Sequence, residues 1–217
     1  MNAESFLQEL DALKAERLMP IVEAGQTSLL GSGSGDGKAM LQVALANEIS
    51  VCELAAAWTP STPEMDVKLA FARQSGDEAG HFELVSNRLK DLGFDSEGFR
   101  PPGAHPLFDY LLGLSTTVER VAAGLYTLES IAYAVNENFI AYCNQLGDVE
   151  TVRIYRKYIQ PDEQRHHSLG RQLLAKYATG TVARAQAKEV VGRVLEIATA
   201  ARAKAAAKLG SACMPGC

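Results

Sequence analysis

Apolar residues recur along this chain at intervals of three and four, the spacing that gathers them on one face of an α-helix. No alternating run rich in Val, Ile and Thr, bounded by hairpin turns, interrupts that pattern, so the chain reads as all-α. A first helical stretch covers about residues 3–29, with an interruption expected at Pro20, and ends in the Gly/Ser-rich linker at 31–38. A second helix runs from Lys38 to Trp58. Ser61-Thr62-Pro63-Glu64 then offers a hydroxyl cap and a first-turn proline to a third, which reaches Leu92 and stops at Gly93. Residues 93–107 hold three Gly and three Pro and predict a non-helical connection. Extended at about 3.3 Å per residue, it could run the length of a helix. Helices are expected next over 108–146 and from Gly147-Asp148 to about Ala178, then an Ala-rich helix over 181–209 and a tail, 210–217, that ends in Cys213-Met-Pro-Gly-Cys217.

Two short-looped helical hairpins joined by a long connection match a four-helix bundle with one crossover. The expected organisation is a single domain: an N-terminal helical arm (1–30), the linker (31–38), the bundle (39–178), a further C-terminal helix (181–209) and the tail. Composition agrees with a folded chain, since 47% of the 217 residues are apolar and 22% are charged. The formal charge of -5 disfavours nucleic acid as a partner. No run of about 18–20 consecutive apolar residues and no basic, apolar N-terminal leader is present, so the reading is cytoplasmic, with no membrane partner. Cys52 and Cys143 fall in apolar helical patterns and read as reduced core thiols. Cys213 and Cys217 could form a reducible pair or a soft-metal site, with a frayed end the favoured reading. Gly37-Lys38 does not complete a phosphate loop, because Ser32 and Ala39 occupy the positions that would need Gly and Ser or Thr.

Two of the four histidines sit in matching pentapeptides, Asp77-Glu78-Ala79-Gly80-His81 and Asp162-Glu163-Gln164-Arg165-His166. Glu and His three apart on a helix lie about 60° from each other and can direct ligand atoms at one point. In the third predicted helix Val67, Phe71, Glu78, His81 and Val85 form one stripe. Val152, Tyr155, Ile159, Glu163 and His166 form another near the end of the bundle, so both motifs face inward. The remaining bundle helices each place one carboxylate in an apolar stripe, Glu48 and Glu129. Glu48 and Glu78 are centred on the Pro60–Pro63 turn, and Glu129 and Glu163 on the Leu146-Gly147 turn, which puts each pair at one depth. Glu53 and Glu137 would be displaced by about 7 and 12 Å along the axis, and Glu119 by almost three turns. Buried carboxylates must be protonated, paired or metal-bound, and these stripes carry no Lys or Arg at that level. The six candidate metal ligands are therefore Glu48, Glu78, His81, Glu129, Glu163 and His166. Tyr126 and Tyr133 flank Glu129 by a turn and are candidate redox or hydrogen-bonding neighbours. His167 is expected to be exposed, and His105 a surface loop residue.

One Glu from each of two helices and Glu-x-x-His from each of two others resembles the ferritin-like superfamily of carboxylate-bridged di-iron proteins, over about residues 38–178. The resemblance implies that Glu78 and Glu163 bridge two metals, with Glu48 and His81 at one end and Glu129 and His166 at the other. It implies two Fe ions, Mn being the alternative, and O2 as co-substrate in the oxidation of a small organic molecule. Asp77 and Asp162 are expected to accept the Nδ1 protons of His166 and His81. Pro161 should kink the helix that carries Glu163. A pocket lined by parts of the first helix and of the helix over 108–146, an external electron donor and a homodimer are further expectations. Peroxide removal and iron oxidation or storage are the alternative activities of the same ligand set.

Overall fold

Asn2 opens the first helix by accepting the Ser5 N–H at 2.8 Å, and α1 (Ala3–Leu30) continues through Pro20 without the expected interruption. A proline inside a helix costs about 3 kcal/mol. Here Phe6, Leu7 and Leu10 on one side of it and Ile21 on the other are buried, and that packing holds the helix together. The computed structural model describes residues 2–31, 36–94, 98–100, 103 and 105–216, and among them there is no strand. Residues 32–35 of the Gly/Ser linker therefore lie outside the described residues.

Asp36 caps α2 (Gly37–Ser61) by accepting the Lys38 N–H at 2.9 Å. This helix runs past Trp58 and through Pro60, because the hydroxyls of Thr59 and Thr62 each donate at 2.8 Å to carbonyls of its last turns. Ser61 and Thr62 consequently do not cap the next helix. α3 (Met65–Asp91) starts after Glu64, which makes no side-chain cap, and Pro63 stays outside it. At the other end Gly93 takes φ +78°, and the Phe94 N–H reaches back to the Leu89 carbonyl at 2.9 Å, the glycine-dependent helix stop.

The helix expected over 108–146 is two. α4 (Pro106–Leu112) ends at Gly113, and α5 (Thr117–Val121) restarts at a reciprocal box in which Thr116 and Glu119 satisfy each other's backbone N–H. Glu119 is thereby committed far from the buried carboxylates. A π-helical turn, Ala122–Leu128, leads from α5 into α6 (Glu129–Leu146), which closes at Gly147 with φ +72°. Asp148 caps α7 (Val149–Ile154), a second π-helical turn covers Tyr155–Ile159, and α8 (Gln160–Tyr177) follows. Pro161 lies in the first turn of α8, where its missing N–H and bulky ring are accommodated by the widened turn just before it. α9 (Gly180–Leu209) completes the helices.

α2 and α3 pack as a hairpin, α6 and its π-turn pack on α8, and α1 and α9 pack on one another and on the α6 rod. Gly170 lets α8 meet the backbone of the π-turn: a Cβ there would lie 2.7 Å from the Leu125 carbonyl carbon and the Tyr126 nitrogen. Two apolar clusters result. One gathers Leu54, Trp58, Phe71, Leu125, Leu173 and residues of α1 and α9, and the other gathers Met40, Leu45, Leu89, Phe139, Tyr155 and Met214. Along α2, α3, α6 and α8 the candidate ligands fall between the members of these clusters, forming a polar layer inside an apolar body. By length and composition α2 would suffice to cross a membrane, but it carries the buried Glu48.

The tail is not frayed. Cys213 and Met214 are buried, and Arg202 donates to the carbonyls of Met214 and Gly216. The Gly216 N–H in turn donates to Asn136 at 2.9 Å. Cys217 lies outside the described residues, so the Cys213–Cys217 pairing does too.

Candidate metal centre

Glu48 comes from α2, Glu78 and His81 from α3, Glu129 from the first turn of α6, and Glu163 and His166 from α8; all six are at most 4% exposed. Their ligand atoms form two groups, Glu48, Glu78, His81 and Glu163 in one and Glu78, Glu129, Glu163 and His166 in the other. Within each group these atoms lie within 4.8 Å of one another, so each group could hold a metal ion. Glu78 and Glu163 belong to both.

The imidazoles face the layer through Nδ1. His81 Nδ1 is 3.2 Å from Glu78 and 3.5 Å from Glu48, and His166 Nδ1 is 3.5 Å from both Glu78 and Glu129. The opposite nitrogens face the aspartates, His166 Nε2 at 2.8 Å from Asp77 and His81 Nε2 at 3.3 Å from Asp162. The crossed pairing thus uses Nε2, not the expected Nδ1, because Nδ1 of each ring is turned to the glutamates. Arg165 joins the aspartates from outside, donating to Asp77 at 2.8 Å and also to Asp162. A chain of charge-assisted bonds therefore runs from His166 through Asp77, Arg165 and Asp162 to His81.

Among the described residues the only ion pairs to these glutamates come from the two histidines, and the cost of burying the carboxylates shows in their acidity. Burial, followed by the charge of Glu163, raises Glu78 to about 8, and burial raises Glu129 to about 8. Glu163 is raised by burial and by Glu129. For His81, burial opposes the charge, but bonds to Asp162, Glu48 and Glu78 outweigh it and hold the ring protonated well above the ordinary histidine range. His166 Nδ1 and Glu78 Oε1 are buried in the layer with no hydrogen-bond partner. Four ionised carboxylates and two neutral imidazoles carry four negative charges, which two divalent cations would balance. Mixed O and N donors at this spacing fit such ions.

Two residues of the layer were not singled out in the sequence. Gln74, 1% exposed, donates its amide to Glu129; its place on the α3 stripe one turn before Glu78 was the available signal. Tyr155 is buried beside the Glu48 and Glu163 charges with an unpartnered hydroxyl. The tyrosines expected here are elsewhere. Tyr126, inside the π-turn ahead of Glu129, donates to Asp11 at 2.6 Å on the α1 side, and Tyr133, one regular turn after Glu129 in α6, is 37% exposed. His167 is half-buried rather than exposed, with Nε2 2.6 Å from Lys14 Nζ. His105 is half-buried against Phe108.

The cavity at the layer measures about 10 Å³ and is lined by Asn47, Val51, Ala132, Gly216 and the glutamates. Among the described residues none of α1 lines it, whereas Glu129 and Ala132 of α6 do. Compared with protein-family models, curated proteins and solved structures, the chain matches none.

Proposed function

We propose that the chain forms a ferritin-like four-helix bundle holding two iron ions, and that it uses O2 to oxidise a small organic substrate in the cytoplasm. The observation that carries this reading is the sharing of Glu78 and Glu163 between two four-residue groups of potential metal ligands. Glu48 and His81 would complete one position and Glu129 and His166 the other. When bound, the irons would supply the reduction of O2 and the oxidising equivalents passed to substrate.

The protein's part is to orient and to move protons. Asp77 and Asp162 hold the ring protons on Nε2 and leave Nδ1 free to ligate, while Gln74 fixes the orientation of the Glu129 carboxylate. The Tyr155 hydroxyl, buried without a partner, can donate or accept a proton at the edge of the layer. Electrons would come from an external donor. Metal analysis and O2 uptake test the reading: two irons per chain and O2 consumption on Fe(II) loading are expected, with both ions lost in Glu163→Ala. Unchanged metal content in that variant would defeat the assignment.

A second reading, peroxide removal with iron or manganese, is favoured by the cavity of about 10 Å³, room for about one water-sized molecule. Rapid H2O2 disproportionation by the loaded protein, with no O2 uptake, would select it.

A further inference from the structure

A much larger cavity, about 700 Å³, lies between α2 and α9. That volume is within the roughly 300–1,000 Å³ typical of small-molecule sites. Its floor is apolar and shallow because α9 presents Ala200, Ala201 and Ala205 to Val43 and Ala46 of α2. From Arg193 to Leu209 the α9 wall extends about 24 Å at 1.5 Å per residue, so the site is long and narrow. Its charges are unequal. Arg193 is paired with Glu196 at 2.9 Å, whereas Lys204 and Lys208 have no ion pair among the described residues. His105, on the inner wall, keeps its Nδ1 buried and unpartnered.

Asn47 lines this groove, the small cavity at the metal layer, and a third cavity of about 50 Å³ between them whose wall includes Met214. One turn of α2 thus separates an elongated apolar groove from Glu48. We propose that the groove binds an elongated aliphatic carboxylate, its head group at Lys204 and Lys208 and its apolar chain directed along α9 toward Asn47. If the dinuclear reading above holds, this is the substrate class of the metal centre. Met214 and Gly216 form the wall that must shift for the chain to reach the ions.

Binding is tested first on the metal-free protein, so that it stands apart from the dinuclear reading. Calorimetric titration with dodecanoate should show saturable one-to-one binding that strengthens about fourfold per methylene from octanoate upward. The Lys204→Glu/Lys208→Glu variant, altered only at exposed positions, should weaken dodecanoate at least tenfold and leave dodecanol unchanged. Ala201→Phe should weaken both. No saturable binding, no chain-length dependence, or equal binding of dodecanoate by the charge-reversed variant would overturn the site. The link to the metals is read with Co(II)-loaded protein, whose visible bands should shift on adding dodecanoate. Tight binding with unmoved bands would overturn the substrate assignment, while failure to load Co(II) would count against the dinuclear reading alone.

Discussion

His166 and His167 are neighbours in α8, yet they enter polar clusters of opposite design. His167 joins Asp11, Lys14, Tyr126 and Arg171, where two cations meet two carboxylates within the protein: Arg171 donates to Asp11 at 3.0 Å and to Glu4 at 3.2 Å, and Lys14 lies 3.8 Å from Asp11. His166 joins four buried glutamates and one other histidine, with no ion pair from Lys or Arg to those glutamates among the described residues. The first cluster is a finished ion-pair network of the kind that ties a helix, here α1, to the body. The second is complete only if its charge is supplied from elsewhere; it is also the more deeply buried, since Asp11 and Arg171 of the first are 36% and 34% exposed.

The largest effect expected from this difference is in the pH dependence of stability. Glu78 and Glu129 are raised from 4.5 to about 8, so the folded, metal-free protein retains protons that the unfolded chain releases between those values. Its stability should be greatest below about pH 4.5 on this account and fall as pH rises toward 8, by on the order of 5 kcal/mol for either carboxylate taken alone. Glu163 and His81 act in the same direction. Two equivalents of divalent metal should abolish or invert the slope, since ligation displaces those protons. Denaturation midpoints at pH 5 and 8, with and without metal, measure this, and parallel curves would remove the distinction between the clusters.

The self-compensated cluster should behave otherwise. Burial lowers Lys14 from 10.5 to about 8, so the cost of its charge is present below pH 8 and is relieved as pH rises toward 10.5. Between pH 8 and 10 the wild type should gain about 2 kcal/mol relative to Lys14→Met. Comparison with the variant cancels the opposing effect of Cys143, which burial raises to about 12. Metal content should not change. A Lys14→Met protein that loses metal would show that the two clusters are coupled through α8.

Within the metal layer, Asp77→Asn sharpens the account of how the rings are held. The amide can no longer accept as an anion from His166 Nε2, and metal affinity should drop by 10–100-fold, about 1.4–2.7 kcal/mol, without change in helicity. Competition with a chelating indicator reads the loss. An undiminished affinity would mean that packing alone orients the imidazole.

Much of the layer was legible because its signals are local. Glu-x-x-His needs only helical spacing, and the depth of Glu48 and Glu129 needs only the positions of two turns. What the sequence concealed depends on breaks in regular geometry or on contacts between distant segments. The first π-turn changes the angular position of Tyr126 relative to Glu129, and Tyr155, at the start of the second, is the tyrosine buried at the site. The α4–α5 break was readable in Thr116-x-x-Glu119, a helix-start pattern masked by the apolar residues around it. Pro20 and Pro60 sit within helices because packing and hydroxyl back-bonding outweighed local propensity. The seating of Gly216 against Asn136, and the bridging of two aspartates by Arg165, join residues 80 or more apart and leave no trace in spacing.

Arg165 supplies the smallest and most discriminating prediction. Its guanidinium contacts both aspartates but is 56% exposed, and Asp77 and Asp162 are themselves 31% and 25% exposed. Exposed ion pairs contribute about 0–1 kcal/mol. Arg165→Gln should therefore weaken metal binding by less than about fivefold, and the deficit should shrink further in high salt. Because one guanidinium serves both aspartates, the two metal positions should weaken together, whereas Asp77→Asn should weaken chiefly the His166 position. Stepwise metal titration of the two variants separates these patterns. If Arg165→Gln matched Asp77→Asn in size, the aspartates would owe their ionisation to the arginine, and the outer bridge would have to be counted as part of the machinery that binds metal.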